Sequence, residues 1–293
     1  MSKKLLEMLK EGVVLGDGGM FLEARWRGYP VPGLIGTHPD ALMQIHRDFY
    51  HAGSQALQAL TWFTSGSQLE RWYGWTGRVD EINRTAIRAA KEGSGGKALV
   101  GGCLVSTRTG SWEGAPIFDP DDPSSFDRAK AEWDQQIAIL VDAGADFLIP
   151  ETFSRLDEVR LCLQCCKKTS LPTMVLMGLG SRTETSDGVP AAECARILAG
   201  DGADVIGTVC IGDPGQMLPT ALKMREAVDV PIACQPKGHR QGRRFELVPP
   251  EEMAEFAVKA KDAGINYIGA CCGAGPWHIR AMAEALGIPE NPV

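Results

Sequence analysis

Two adjacent cysteines, Cys271 and Cys272, end the strand-like stretch INYIGACC from Ile265, and the helix-like PWHIRAMAEAL follows within four residues. A third cysteine, Cys210, ends another apolar run, ADVIGTVC from Ala203. Neighbouring residues of a regular strand point to opposite faces. At a strand end, before Gly273, the backbone is free to turn so that both sulfurs face one ion. Three thiolates with an open fourth position are the donor set of a catalytic zinc centre rather than a closed structural one. The expectation is therefore that Cys210, Cys271 and Cys272 hold Zn2+, provided that the fold brings the two segments together.

Zinc with three thiolates carries one net negative charge, and a fourth thiolate adds another. The excess charge keeps that fourth sulfur nucleophilic while the metal keeps it deprotonated at neutral pH. Such a centre suits alkylation of a substrate thiol better than activation of water. A cationic alkyl donor is drawn to it and leaves as a neutral molecule, by direct displacement in which positioning supplies most of the acceleration. A cationic donor is held by aromatic faces. Trp62, Phe63, Trp72, Tyr73 and Trp75 crowd one stretch that could supply them, although the same density also suits a hydrophobic lid or a subunit contact.

Positioning these residues requires a particular succession of elements. Apolar strand-like runs begin at Val13, Gln55, Lys97, Ala145, Pro172, Ala203, Pro231 and Ile265, and each is followed by a helix-like pattern. Those patterns cover 39–52, 79–91, 126–143, 156–168, 191–200, 217–228, 250–264 and 276–286. Glycines at 144, 202 and 264 end helices just before apolar strands, as helix C-termini commonly do. Strands that are apolar throughout suit a parallel sheet covered by helices. Eight strand–helix units over 293 residues predict an α/β fold, a (β/α)8 TIM barrel, as a single domain spanning 1–293. A doubly wound sheet is the other candidate, but LGDGGM lacks the spacing of a dinucleotide fingerprint.

In such a barrel the chemistry sits at the C-terminal strand tips. That places Asp17, Gly18 and Gly19 after the first strand, Thr61, Trp62 and Phe63 after the second, and Glu151 after the fourth. Cys210, Gln235 and the Cys271–Cys272 pair end the sixth, seventh and eighth. The remaining cysteines read differently: Cys162, Cys165 and Cys166 fall inside a helical pattern, and Cys103, Cys194 and Cys234 at core positions.

The net charge of −7 argues against nucleic acid as a partner, and no apolar run is long enough to span a membrane. Nine cysteines, with no secretory leader legible at the N-terminus, predict a reduced, cytoplasmic protein. MSKKLLEMLKEG reads instead as a short amphipathic helix. KGHRQGRR, from Lys237, is a basic loop on the active face, suited either to solvent or to a donor carboxylate. His278, at the start of the last helix, reads as structural, and the glycosylation-like Asn83-Arg84-Thr85 lies in a helical pattern.

Beyond these readings the chain resembles the homocysteine S-methyltransferase family, and within it the betaine branch. The resemblance runs through GDGG at 16–19, RGYP at 27–30, HRDFYHAGSQ at 46–55, ADFLIPETF at 145–153, the Gly207-x-x-Cys210 spacing and YIGACCGAGPWHIRAM at 267–282. It implies a zinc-dependent (β/α)8 barrel that methylates homocysteine to methionine, with Cys210, Cys271 and Cys272 as zinc ligands. It also implies that Asp17, Gly18 and Glu151 hold the amino-acid end of homocysteine, and that Trp62, Phe63 and Thr152 border the methyl donor. Four departures stand out against the betaine branch. Thr152 and Phe63 replace tyrosines, Val209 replaces an asparagine, and a tryptophan is missing near PGLIGTHPD. They leave open a betaine-like or a sulfonium donor, another thiol or selenol acceptor, and a binding protein without catalysis. The partners implied are small molecules, with a homo-oligomer also possible.

Overall fold

All eight apolar runs form strands of one parallel sheet in the computed structural model, which describes residues 4–31, 33–107, 117–179, 183–240 and 245–292. The strands are β1 (Val14–Leu15), β2 (Ala56–Ala59), β3 (Leu99–Val105), β4 (Phe147–Phe153), β5 (Met174–Met177), β6 (Val205–Val209), β7 (Ile232–Gln235) and β8 (Tyr267–Ile268). Their spatial order runs β1-β8-β7-β6-β5-β4-β3-β2. The two end strands meet through side chains as well as backbone. Gln55 N–H donates to the Leu15 carbonyl at 2.8 Å, and Leu15 N–H donates to Gln55 Oε1 at 3.0 Å. Asp17 Oδ2 then accepts Gln58 N–H at 2.8 Å. With that seam bridged, the sheet is a (β/α)8 barrel of the TIM type.

Side chains alternate as the pleat demands. Leu99, Cys103, Phe147, Ile149, Val205 and Tyr267 fill the barrel interior, while Val100, Leu148, Val175 and Ile206 face the helices. The N-terminal helix Lys4–Glu11 is amphipathic, as its sequence suggests. It sends Leu5 and Leu9, one turn apart, into the interior cluster beside the strand starts Val14, Ala56 and Leu99. That end of the barrel is thus plugged, and the opposite rim is left for chemistry.

The helices that follow the strands lie where the periodicity predicts, with extra pieces in the first two rim loops. Met20–Trp26 and Leu34–Thr37 precede the helix Pro39–His51, and Gly66–Tyr73 precedes Val79–Gly93. Gly66–Tyr73 begins where Gln68 Oε1 accepts Ser65 N–H at 3.4 Å and ends on Gly74 in the left-handed region. After β7, His239–Arg240 pairs antiparallel with Glu246–Leu247. Residues 241–244 of the basic loop lie outside the described residues. No helix among the described residues is long and apolar enough to cross a membrane.

Candidate metal and substrate site

On β6 the odd-numbered residues face the interior, where Val205 and Val209 pack, and the even-numbered ones face outward, Thr208 against Met217. A continued strand would therefore point Cys210 outward. Its φ is instead +67°, in the left-handed region, and the side chain turns into the interior cluster. That conformation is costly for a residue with a Cβ and persists only where the surroundings impose it. At β8 the turn falls on Gly273, with φ +87°, immediately after the two cysteines.

Backbone bonds hold the Cys271–Cys272 turn. Cys271 N–H donates to Pro236 O at 2.8 Å, and Gly238 N–H donates to Cys272 O at 3.0 Å. His278 is buried and structural: Nδ1 accepts Gly275 N–H at 3.1 Å, so Nε2–H donates to Val248 O at 2.7 Å. Gly18 and Gly19 press against the same turn. A Cβ on Gly18 would stand 2.4 Å from Ala274 O, and one on Gly19 2.6 Å from Cys271 O.

The result is a cluster of three sulfurs. Cys210 Sγ lies 3.7 Å and Cys271 Sγ 4.0 Å from Cys272 Sγ, and all three fall within 4.8 Å of one another. Tetrahedral zinc with its usual bond length to sulfur needs ligand sulfurs about 3.8 Å apart, so the spacing fits the ion. Cys210 and Cys271 both donate to Cys272, which holds its thiol well below the ordinary value. Cys271, as a donor to both neighbours, is pushed up. The cluster thus favours one thiolate readily, and a metal dication would stabilise the rest.

Two carboxylates lie close together here, Glu151 lining the cleft and Asp17 buried outside its lining. Glu151 points inward from β4, and burial raises its carboxyl to about 7, with the nearby Cys210 sulfur adding to the shift. The Cys103 thiol, inward on β3, donates to it. Asp17 is fully buried and is also raised, first by burial, with Glu151 contributing. Its Oδ2 accepts Gln58 N–H, but its Oδ1 has no partner among the described residues. Two buried carboxylates without a cation are destabilising, and an ammonium group between them would relieve both. Above them Gln58 Nε2 donates to Gln235 Oε1 at 3.0 Å, leaving Gln235 Nε2 unpaired.

The aromatic side of the cleft divides the expected residues. Trp62 lines it, with Phe21 edge-on at 6.5 Å, and so does Thr152. Thr152 occupies a bulge, because Glu151 pairs with Leu176 and Phe153 with Met177, and its φ is +59°. Phe63, at φ +60°, does not line the cleft; it packs between Trp62 at 4.3 Å and Trp72 at 5.2 Å. Trp75 stacks on Tyr73 at 4.6 Å with Arg78 over its ring, apart from the cleft. The turn carrying Trp62 rests on a buried network. Thr61 Oγ1 bonds Cys103 on β3, Thr64 Oγ1 bonds Asn83 Oδ1, and Gln136 Nε2 reaches both Thr61 O and Asn83 Oδ1.

Phe21 and Gln58 carry no functional reading in the sequence, and Cys103, read there as a core position, lines the cleft. The available signal for Gln58 was a polar residue on an inward position of QALQAL, and for Cys103 the inward alternation of β3. Phe21 gave none, because it reaches the cleft from a helix not predicted. Cys162, Cys165, Cys166, Cys194 and Cys234 are all buried away from the cluster.

Comparison with known proteins adds to this geometry. A family model described as homocysteine S-methyltransferase matches residues 14–286. Betaine–homocysteine S-methyltransferase 1 of Danio rerio is 32% identical over 313 residues, covering 96% of this chain and 75% of that protein. The S-methylmethionine–homocysteine S-methyltransferase of Pongo abelii is 30% identical, covering 98% of this chain and 82% of that one. In fold, the chain superposes on the metallated form of the homocysteine methyltransferase MmuM from Escherichia coli. The TM-score is 0.80 at 20% identity, with 96% and 98% of the two chains covered.

Proposed function

We propose that this chain, which belongs to the homocysteine S-methyltransferase family, moves a methyl group from a small betaine-like or sulfonium donor to the homocysteine thiolate at zinc, yielding methionine. Methyl transfer to homocysteine is the activity of the family; the metal and the donor class are the additions made here. The observation that carries the metal is the meeting of three sulfurs from two distant segments at an open cleft. The matched bacterial structure, a metallated form, agrees with it.

Bound by Cys210, Cys271 and Cys272, a zinc ion would keep the incoming homocysteine sulfur as a thiolate at neutral pH. Everything else falls to side chains of this chain. Glu151 and Asp17 face the α-ammonium of homocysteine, whose positive charge offsets two buried carboxylates. Ammonium binding lowers the Glu151 carboxyl from about 7 and so draws it into its ionised form. Gly18 lets the chain approach the amino acid where a side chain would collide with Ala274.

Trp62 lines the same cleft as Cys271 and Cys272. A cationic donor on its face, flanked by the Phe21 ring, is therefore held beside the sulfur it must methylate. The apolar wall excludes water and strengthens that attraction. The relatives include both a betaine and an S-methylmethionine enzyme, in line with either donor class here.

The test is a donor screen. Zinc-loaded protein with homocysteine should yield methionine from betaine, S-methylmethionine or dimethylsulfoniopropionate. Stoichiometric zinc with no methionine from any of them would sink the proposal.

A further inference from the structure

Beneath the cleft, three fully buried side chains each keep a polar atom without a partner among the described residues: Asp17 Oδ1, Gln235 Nε2 and Tyr267 Oη. Two inward-facing glycines make room for them. Gly16 stands two residues after the inward Val14, so it too faces the interior. A Cβ there would lie 2.5 Å from Tyr267 Oη, so the phenol occupies the space a side chain would fill, beside the backbone that leads into Asp17. Gly269 stands two residues after the inward Tyr267, and its Cβ would lie 3.2 Å from Gln235 Oε1 and 3.4 Å from Asp17 O. Ala270 N–H then donates to Asp17 O at 2.9 Å, which ties the end of β8 to the same residue.

A buried polar atom left unpaired is costly, and a water enclosed in a protein typically makes about three hydrogen bonds to such groups. The phenol and the amide supply donors and the carboxylate an acceptor. One water satisfies all three by accepting from Tyr267 and Gln235 and donating to Asp17. Burial raises the phenol well above its ordinary value, and among the charges around it Asp17 contributes most. We propose that Tyr267 is a positioning residue for homocysteine, holding Asp17 Oδ1 through one enclosed water beneath the amino-acid end of the substrate. The inference rests on the reading of Asp17 as a partner of the homocysteine ammonium.

Asp17 Oδ2 is already fixed by Gln58 N–H at 2.8 Å. With Oδ1 held as well, the carboxylate cannot turn away, and its charge stays where the ammonium arrives. Tyr267 itself does not line the cleft, so it acts on the substrate only through Asp17.

The experiment measures KM for homocysteine and for the donor in Tyr267→Phe, Asp17→Asn and the double variant. Tyr267→Phe keeps the ring and removes one oxygen. It should raise the homocysteine KM roughly fivefold to tenfold, as for loss of a water-carried bond to a charged group, and leave the donor KM within about twofold. In the Asp17→Asn background it should add less than about twofold, because the charge it positions is gone. The same factor in both backgrounds overturns the proposal and leaves Tyr267 a packing residue. If Tyr267→Phe fails to fold, as judged by circular dichroism, a high-resolution crystal structure of the parent protein decides. A water within hydrogen-bond distance of both Tyr267 Oη and Asp17 Oδ1 is expected there, and a structure without one overturns the proposal. A parent protein that forms methionine but whose homocysteine KM does not respond to Asp17→Asn overturns instead the reading of Asp17, and the positioning role with it.

Discussion

Cys210 and Cys272 stand 62 positions apart in the chain, yet their sulfurs lie 3.7 Å from one another. The contact exists because Cys210 adopts a left-handed conformation that a strand residue would avoid. Cys210→Ala, Cys271→Ala and Cys272→Ala should each lose stoichiometric zinc and methionine formation, as read by metal analysis and turnover. Cys210→Gly loses them too but should be more stable than Cys210→Ala by about 1 kcal/mol, the reverse of the order in a regular strand. Equal stability of the two would remove the case for strain at this tip.

Glu151 makes stability depend on pH with a definite sign. Its folded value of about 7 exceeds the ordinary 4.5, so the folded state binds the proton more tightly. The stabilisation it contributes is complete at low pH and is lost as pH rises toward 7. Glu151→Gln cannot ionise, so the zinc-free variant should exceed the parent by up to about 3 kcal/mol above neutrality and converge with it at about pH 4. Its KM for homocysteine should rise at least about tenfold. Denaturant titrations at both pH values decide the matter, and a gap independent of pH would remove Glu151 as its cause.

Trp62 and Phe63 are adjacent in sequence but separated in role. Trp62→Leu should raise the donor KM by about tenfold or more, from loss of a desolvated cation–π contact, and leave the homocysteine KM near the parent value. Phe21→Leu should act in the same direction and more weakly. Phe63→Leu, behind the wall, should lower the melting temperature and move the donor KM less than Trp62→Leu does. Steady-state kinetics in which Phe63→Leu is the most damaging of the three would contradict this division.

Asn83 lies in a helix, yet its amide binds Thr64, Val79 and Gln136 beneath the Trp62 turn. Asn83→Leu strands several buried polar groups and should cost roughly 2–4 kcal/mol, measured by denaturation. Because the turn loosens, the donor KM should rise along with it. Loss of stability without any kinetic effect would show that the network braces the barrel and not the site.

Much of this was legible from the chain alone, for physical reasons. Strands buried on both faces must be apolar throughout, and helices that end before them do so on glycine, so the eightfold succession can be read without coordinates. Seven of the nine proposed site positions line the cleft in the structure: Gly18, Trp62, Glu151, Thr152 and the three cysteines. Asp17 lies buried beneath them, on the seam to β2, and Phe63 lies behind. The misplacement of Phe63 follows from alternation at a strand end, where one left-handed residue reverses which side chain faces inward.

By itself, the sequence determined the type of barrel and the strand ends at which the three proposed metal-ligating cysteines stand, because periodicity and residue chemistry are local properties. Only the tertiary structure decided that Cys210 turns inward, that Thr152 sits in a bulge, that Phe21 faces Trp62 and that the Tyr267 phenol stands against Gly16. Each of those depends on contacts between distant segments and on single backbone angles, which no local pattern of residue types encodes.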